Sequence, residues 1–147
     1  WVHALKVSVL EWCCRALYTL TLDPQNCRVV LDVGGISAIV NSMQGHVDCQ
    51  TVQEMGCAIF GNLAANDDET RMRIVDEEAL DAIVLAMVLH ADDMQVQERA
   101  CVALMRLAVP SNYNAMKAAN IPELVRTAAR KFPDRCDEPA QQLLSVF

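Results

Sequence analysis

The side chains most capable of chemistry in this sequence recur at a fixed interval instead of gathering. Cysteines stand at 13, 14, 27, 49, 57, 101 and 136, and Cys14, Cys57 and Cys101 are spaced 43 and 44 residues apart. An odd total without a pairing pattern argues against a disulfide framework and for a reducing compartment. A nucleophilic thiol needs basic neighbours that favour its thiolate. Of the three recurring cysteines only Cys14 has one, Arg15. Packing as small apolar residues is the expectation. His3, His46 and His90 recur in the same way, with Cys49 as the one obvious soft companion. A metal would need adjacent segments to bring them together, and none is expected. Carboxylates cluster at Asp67-Asp68-Glu69, Asp76-Glu77-Glu78 and Asp92-Asp93. They read as solvated helix starts and links. No glycine-rich phosphate loop and no Ser–His–Asp logic appears. Neither an enzyme nor a cofactor is expected.

Composition narrows the class of function further. Of 147 residues 53% are hydrophobic, only 5% are aromatic, and Gly and Pro number five each, which favours helices over a sandwich or barrel. The longest apolar run, Ala82–Leu89, is too short to span a bilayer. No signal-peptide pattern stands at the start. The chain opens at Trp1, as expected of a piece of a longer polypeptide. Net charge is −7, with five basic against fourteen acidic residues up to position 95 and seven against five beyond it. An acidic body argues against nucleic-acid binding, which needs a basic surface to displace counterions. A cytoplasmic setting is expected, with the nucleus as the alternative.

The recurrence of single residues belongs to a repeat of whole segments. Val52-Gln53-Glu54-Met55-Gly56-Cys57 realigns with Val96-Gln97-Glu98-Arg99-Ala100-Cys101, 44 residues on, and a third copy begins at Val9, 43 residues earlier. A second block repeats as well. Gly35-Ile36-Ser37-Ala38-Ile39-Val40 aligns with Ala79-Leu80-Asp81-Ala82-Ile83-Val84 and then Asn120-Ile121-Pro122-Glu123-Leu124-Val125. Each unit reads as a short helix, a second helix and a long third helix. Asp23-Pro24, Asp67-Asp68-Glu69 and Pro110-Ser111 supply the start signals. On a helical wheel Val52, Gly56, Ile59, Phe60 and Leu63 form one core arc; Val96, Ala100, Ala103, Leu104 and Leu107 form the next. Val9, Cys13, Ala16, Leu17 and Leu20 form the corresponding first arc. No unit buries its arc alone, so stacking must supply the core.

This pattern resembles the armadillo-repeat family. The residues that carry the likeness are the Val-Gln-Glu … Asn-Leu-Ala third helix, the Gly-Gly-Ile … Ile-Val second helix and the Asn66-Asp67-Asp68 link. The resemblance implies an all-α, right-handed α-solenoid of three-helix repeats, about three units and two half-units. The repeat periods within this single domain are 9–51, 52–95 and 96–138, with a partial repeat over 139–147. Trp1–Ser8 aligns with the exit of a second helix, and Pro139–Phe147 with the opening of another third helix.

The resemblance also assigns a face. The arc of Glu54, Met55, Ala58 and Asn62 lines the concave groove, as do Glu11, Trp12, Arg15 and Thr19 before it and Glu98, Arg99, Val102 and Arg106 after it. Groove-binding members hold extended peptides there, and Asn62 stands where their asparagine clamps peptide backbone. An amide suits that task because it donates and accepts at once. Its alternative role is a surface or interhelical hydrogen bond. Nuclear-import receptors place Trp one turn before that Asn; here Arg15, Ala58 and Val102 stand there, which argues against a nuclear-localisation-signal groove. Glu11, Glu54 and Glu98 form a ladder that either meets a basic segment or only favours helix near an N-terminus. A basic partner fits the ladder; pairing with Arg15, Arg99 and Arg106 would leave a mixed groove for acidic or neutral peptides.

The expected function is therefore a non-catalytic scaffold that binds a protein or peptide, with no nucleic-acid or membrane partner. The alternative is a regulatory or spacer segment of a larger enzyme such as a ubiquitin ligase or a kinase. Self-association is expected through the apolar arcs at the two ends, around Val9 and Leu143-Leu144-Val146-Phe147.

Overall fold

Asp23 opens a helix by accepting from Gln25 N at 2.8 Å, with Pro24 in the first turn where its missing N–H costs nothing. Asp67 does the same through Thr70 N at 2.7 Å and Asp93 through Val96 N at 2.9 Å. These caps set the element order in the computed structural model. It describes the backbone from Val2 to Phe147 and the side chains from Lys6 onward. The helices are α1 (Val2–Leu20), α2 (Pro24–Asp32), α3 (Gly35–Gly45), α4 (Gln50–Ala64) and α5 (Asp68–Asp76). They continue as α6 (Ala79–Leu89), α7 (Met94–Leu107), α8 (Tyr113–Ala118), α9 (Ile121–Lys131) and α10 (Pro133–Leu144), with a 3-10 turn over Pro110–Asn112. Among the described residues there is no strand, so the chain is all-α. No helix among them is long and apolar enough to cross a membrane.

The long helices α1, α4, α7 and α10 pack side by side in chain order, and α3, α6 and α9 form a second row behind them. Both anticipated arcs in the middle of the long row close completely. Val52, Ile59, Phe60 and Leu63 on α4 and Val96, Ala100, Ala103, Leu104 and Leu107 on α7 are at most 1% exposed. The small residue at the arc's centre matters sterically, since a Cβ on Gly56 would collide with the Met43 side chain of α3.

Two buried amides tie the rows together. Gln53 Nε2 donates to the carbonyls of Met43 and His46, both at 2.9 Å. Gln97 repeats this on Met87 and His90 at 2.8 and 3.0 Å. Each fastens the end of a second-row helix, where carbonyls otherwise lack helical partners.

Between each short helix and the next second-row helix the backbone passes through the left-handed region, at Gly34 (φ 78°), Glu78 (φ 65°) and Asn120 (φ 56°). This fixes the register of the repeat. Asn120 corresponds to Gly34 and Glu78, so the third copy of the second block sits one residue away from the alignment by residue similarity. Ile121, not Asn120, takes the place of Gly35 and Ala79, and all three are buried. Turn geometry decides here, because a left-handed residue can occupy only one point of the connection.

The ends differ from the sequence expectation. Residues 2–8 do not leave a second-row helix; they run straight into the long helix α1. Trp1 and the side chain of His3 lie outside the described residues. The first arc is not core: Val9 is 62% and Leu20 53% exposed, Cys13 and Ala16 are exposed, and Leu17 is half-buried. Among the described residues no helix lies on α1 as α3 lies on α4. At the other end the long helix opens at Pro133, six residues before Pro139, which lies buried inside α10. Counted from the N-caps Cys49, Asp93 and Phe132, Pro139 takes the place of Gly56 and Ala100. Leu143 is 1% exposed, and Phe147 packs on Tyr113 with ring centres 5.3 Å apart, while Val146 stays 40% exposed, so the closing residues are covered in part.

Candidate functional site

Three successive long helices meet at one shallow depression. Tyr18 of α1 and Leu22 just beyond it line one side; Ala58, Gly61 and Asn62 of α4 form the floor; Arg99, Val102 and Arg106 of α7 line the other side. The Arg99 guanidinium carbon stands 5.7 Å from the Tyr18 ring centre, over a helix that separates the two. Arg106 Nη1 donates to Gly61 O at 2.9 Å, which holds that guanidinium against α4. Asn62 Nδ2 donates to Thr21 Oγ1 at 3.2 Å, and that hydroxyl donates to Tyr18 O at 2.9 Å. The lining carries two cationic groups and no carboxylate.

Of the residues assigned to the groove from the sequence, Ala58, Asn62, Arg99, Val102 and Arg106 come together here. Met55 does not reach a ligand: it is 5% exposed, and Ala58 itself is 6% exposed. The wheel places both on the open face, but α4 lies between two neighbours that cover its flanks. Trp12, 73% exposed, Arg15 and Thr19 stand on the open part of α1 outside the depression. The Thr19 hydroxyl is spent on Arg15 O at 3.0 Å in its own helix.

The glutamate ladder is separate from Asn62. Glu11 accepts from Cys49 Sγ at 3.5 Å across the α1/α4 seam, and Arg135 Nη1 of α10 donates to Glu98 at 3.5 Å across the α7/α10 seam. Glu54 is half-buried. Two rungs thus bridge neighbouring helices. Glu11 lines a different depression with Val7, His46, Asp48 and Cys49.

Sequence reasoning missed Tyr18 and Gly61. Both lie at one repeat position, next to the chosen arc. An aromatic at 18 against glycine at 61 is a legible size contrast, but its use across the groove depends on Arg99, 81 residues away.

The recurring thiols face inward. Burial, with the nearby Cys13, Cys49 and Glu11 adding to it, pushes the Cys14 thiol up to about 11, and burial pushes Cys57 to about 12. A hydrogen bond with Cys136, together with burial, pushes Cys101 up as well. These three thiols stay protonated near neutral pH and serve as packing. His46 and His90 cap different second-row helices, and the His90 ring nitrogen Nε2 lies 2.7 Å from Val47 O. Among the described residues no group of three His, Cys, Asp or Glu side chains is placed to hold a metal ion.

In comparisons with protein-family models, curated proteins and solved structures, none matches this chain.

Proposed function

We propose that this chain is a non-catalytic protein-interaction scaffold. In this reading it is a right-handed α-solenoid of armadillo-type repeats that holds an extended segment across the depression lined by α1, α4 and α7. The observation that carries the reading is the depression where those helices meet. Tyr18 and Leu22 on one side and Arg99, Val102 and Arg106 on the other flank the α4 floor, and a depression that spans successive helices suits a long partner. The two rows and the repeated amide fasteners support the repeat architecture.

An acidic or neutral segment fits better at this point than a basic one. Arg99 and Arg106 supply positive charge and free N–H groups beside apolar Val102 and Ala58. Of the three glutamates that would attract a basic partner, Glu11 and Glu98 are engaged across the helix seams. Asn62 has one N–H committed to Thr21, which leaves the rest of its amide for the partner's backbone.

The test is selection of extended peptides from a displayed random library against the whole chain. Selected sequences should be enriched in Asp and Glu, and their binding should weaken with salt. Replacing Arg99 and Arg106 together by Glu should abolish it, while Arg126→Glu on α9 should leave it intact. Binders that ignore the double substitution would remove the groove from the proposal.

A further inference from the structure

Cys136 breaks a pattern of the long helices. Four residues beyond the N-cap, α4 carries Gln53 and α7 carries Gln97, and each amide fastens the end of a second-row helix. At that place α10 carries Cys136. Its side chain meets α7 instead, where it shares a hydrogen bond with the Cys101 thiol. Both cysteines are 0% exposed, in the seam along which α7 and α10 pack. The bond divides their chemistry. Cys101 donates, which pushes its own thiol up and holds Cys136 below the ordinary value of 9.0. Cys136 is therefore the readier nucleophile, since the thiolate is the form that attacks. Cys57 also lies near Cys101, but burial pushes its thiol up to about 12.

We propose that Cys101 and Cys136 form a reversible oxidation site, where a small hydroperoxide joins the two thiols in a disulfide that locks α10 to α7. The Cys136 sulfur attacks the outer peroxide oxygen. The O–O bond breaks, leaving a sulfenic acid on Cys136 and releasing an alcohol, or water where the oxidant is hydrogen peroxide. The Cys101 sulfur then displaces the hydroxyl, which leaves with the Cys101 proton as water. One S–O bond breaks and one S–S bond forms. The two sulfurs together lose two electrons, and the peroxide oxygens gain them. A dithiol reverses the step by exchange. Access comes from α10 itself. Pro139 lies inside this helix and removes the backbone bond that would end on Arg135 O, next to Cys136; no other long helix has an internal proline. Local opening there admits a small oxidant that the closed seam excludes. Transient disulfides of this kind occur in reducing compartments as sensors. The inference does not depend on the peptide groove.

The experiment treats the folded whole chain with hydrogen peroxide, blocks remaining thiols and maps the tryptic peptides without reduction. Cleavage after Arg99, Arg106 and Arg135 leaves Cys101 in residues 100–106 and Cys136 in residues 136–147, each with no other cysteine. The expected product is these two peptides linked, with the loss of two hydrogens from the intact mass. Tm should rise, because the bridge restricts the unfolded chain, and should return on adding dithiothreitol. Cys101→Ser keeps a hydroxyl donor beside Cys136. It should lose the linked peptide and accumulate a sulfenic acid on Cys136 that dimedone traps. Cys57→Ser should still form the link. Absence of the linked peptide from the folded wild-type chain, its appearance only in urea, or predominant pairing of Cys101 with Cys57 overturns the proposal. So does a Cys101→Ser chain that folds and leaves Cys136 unoxidised.

Discussion

Arg99 and Tyr18 face each other at 5.7 Å across the width of α4, although they come from helices separated by it. A cation over an aromatic face is attracted by the ring quadrupole. In this position the pair bridges α1 and α7 over α4. Both side chains are half-buried. A double-mutant cycle of Tyr18→Leu and Arg99→Met, followed by urea unfolding, should yield a coupling of about 0.5–1 kcal/mol. Additive single effects would mean that the contact does not shape the groove.

Glu78 adopts a left-handed conformation that side chains with a Cβ disfavour by roughly 1–2 kcal/mol. Glu78→Gly removes that strain at an exposed position and gives back part of the gain through greater chain freedom when unfolded. The expected net is a stabilisation of about 1 kcal/mol, seen as a rise in Tm. Asn120→Gly should gain less, because asparagine tolerates this region better. Gly34→Ala should lose stability although nothing crowds its missing Cβ, since its φ is also positive.

Removing a buried amide fastener should be costly. Gln97→Leu keeps the volume but leaves the carbonyls of Met87 and His90 without that donor. An unsatisfied buried polar group costs about 1–3 kcal/mol. The expected loss is in that range, with hydrogen exchange quickening first at the end of α6. A change confined to α7 would contradict the fastener role.

Acid should loosen the two ends of α5 before the rest. The Ser37 hydroxyl, donating at 2.7 Å, and Arg73 hold the Glu77 carboxyl below its ordinary value of 4.5. Asp67, capped by Thr70 N, is held below 3.8. A carboxyl with a depressed folded pKa stabilises fully above its unfolded value. That contribution is lost as pH falls through the folded value. Tm should therefore fall below about pH 4.5, and Glu77→Gln should flatten that fall while lowering Tm at neutral pH. An unchanged acid limb in the variant would show that Glu77 contributes nothing to it.

Much of this architecture is legible in the residues alone. The spacing of Val52 to Leu63 and of Val96 to Leu107 identifies two buried helical faces. Asp23, Asp67 and Asp93 mark helix starts, and the 43- and 44-residue recurrences mark the unit. These are local properties, set by a helix's 3.6-residue turn and by the hydrogen bonds of its first turn. The tertiary structure decided what stands opposite each face. Cys13 is exposed and Gly56 buried at equivalent positions because α3 covers only the second. Met55 is closed off by neighbouring helices, Glu98 is turned to Arg135, and Tyr18 meets Arg99. The last copy's register follows the one residue that bends left-handed. Burial and pairing depend on atoms brought from far along the chain, and a repeat's periodicity states which residues are equivalent without stating which of them have a neighbour.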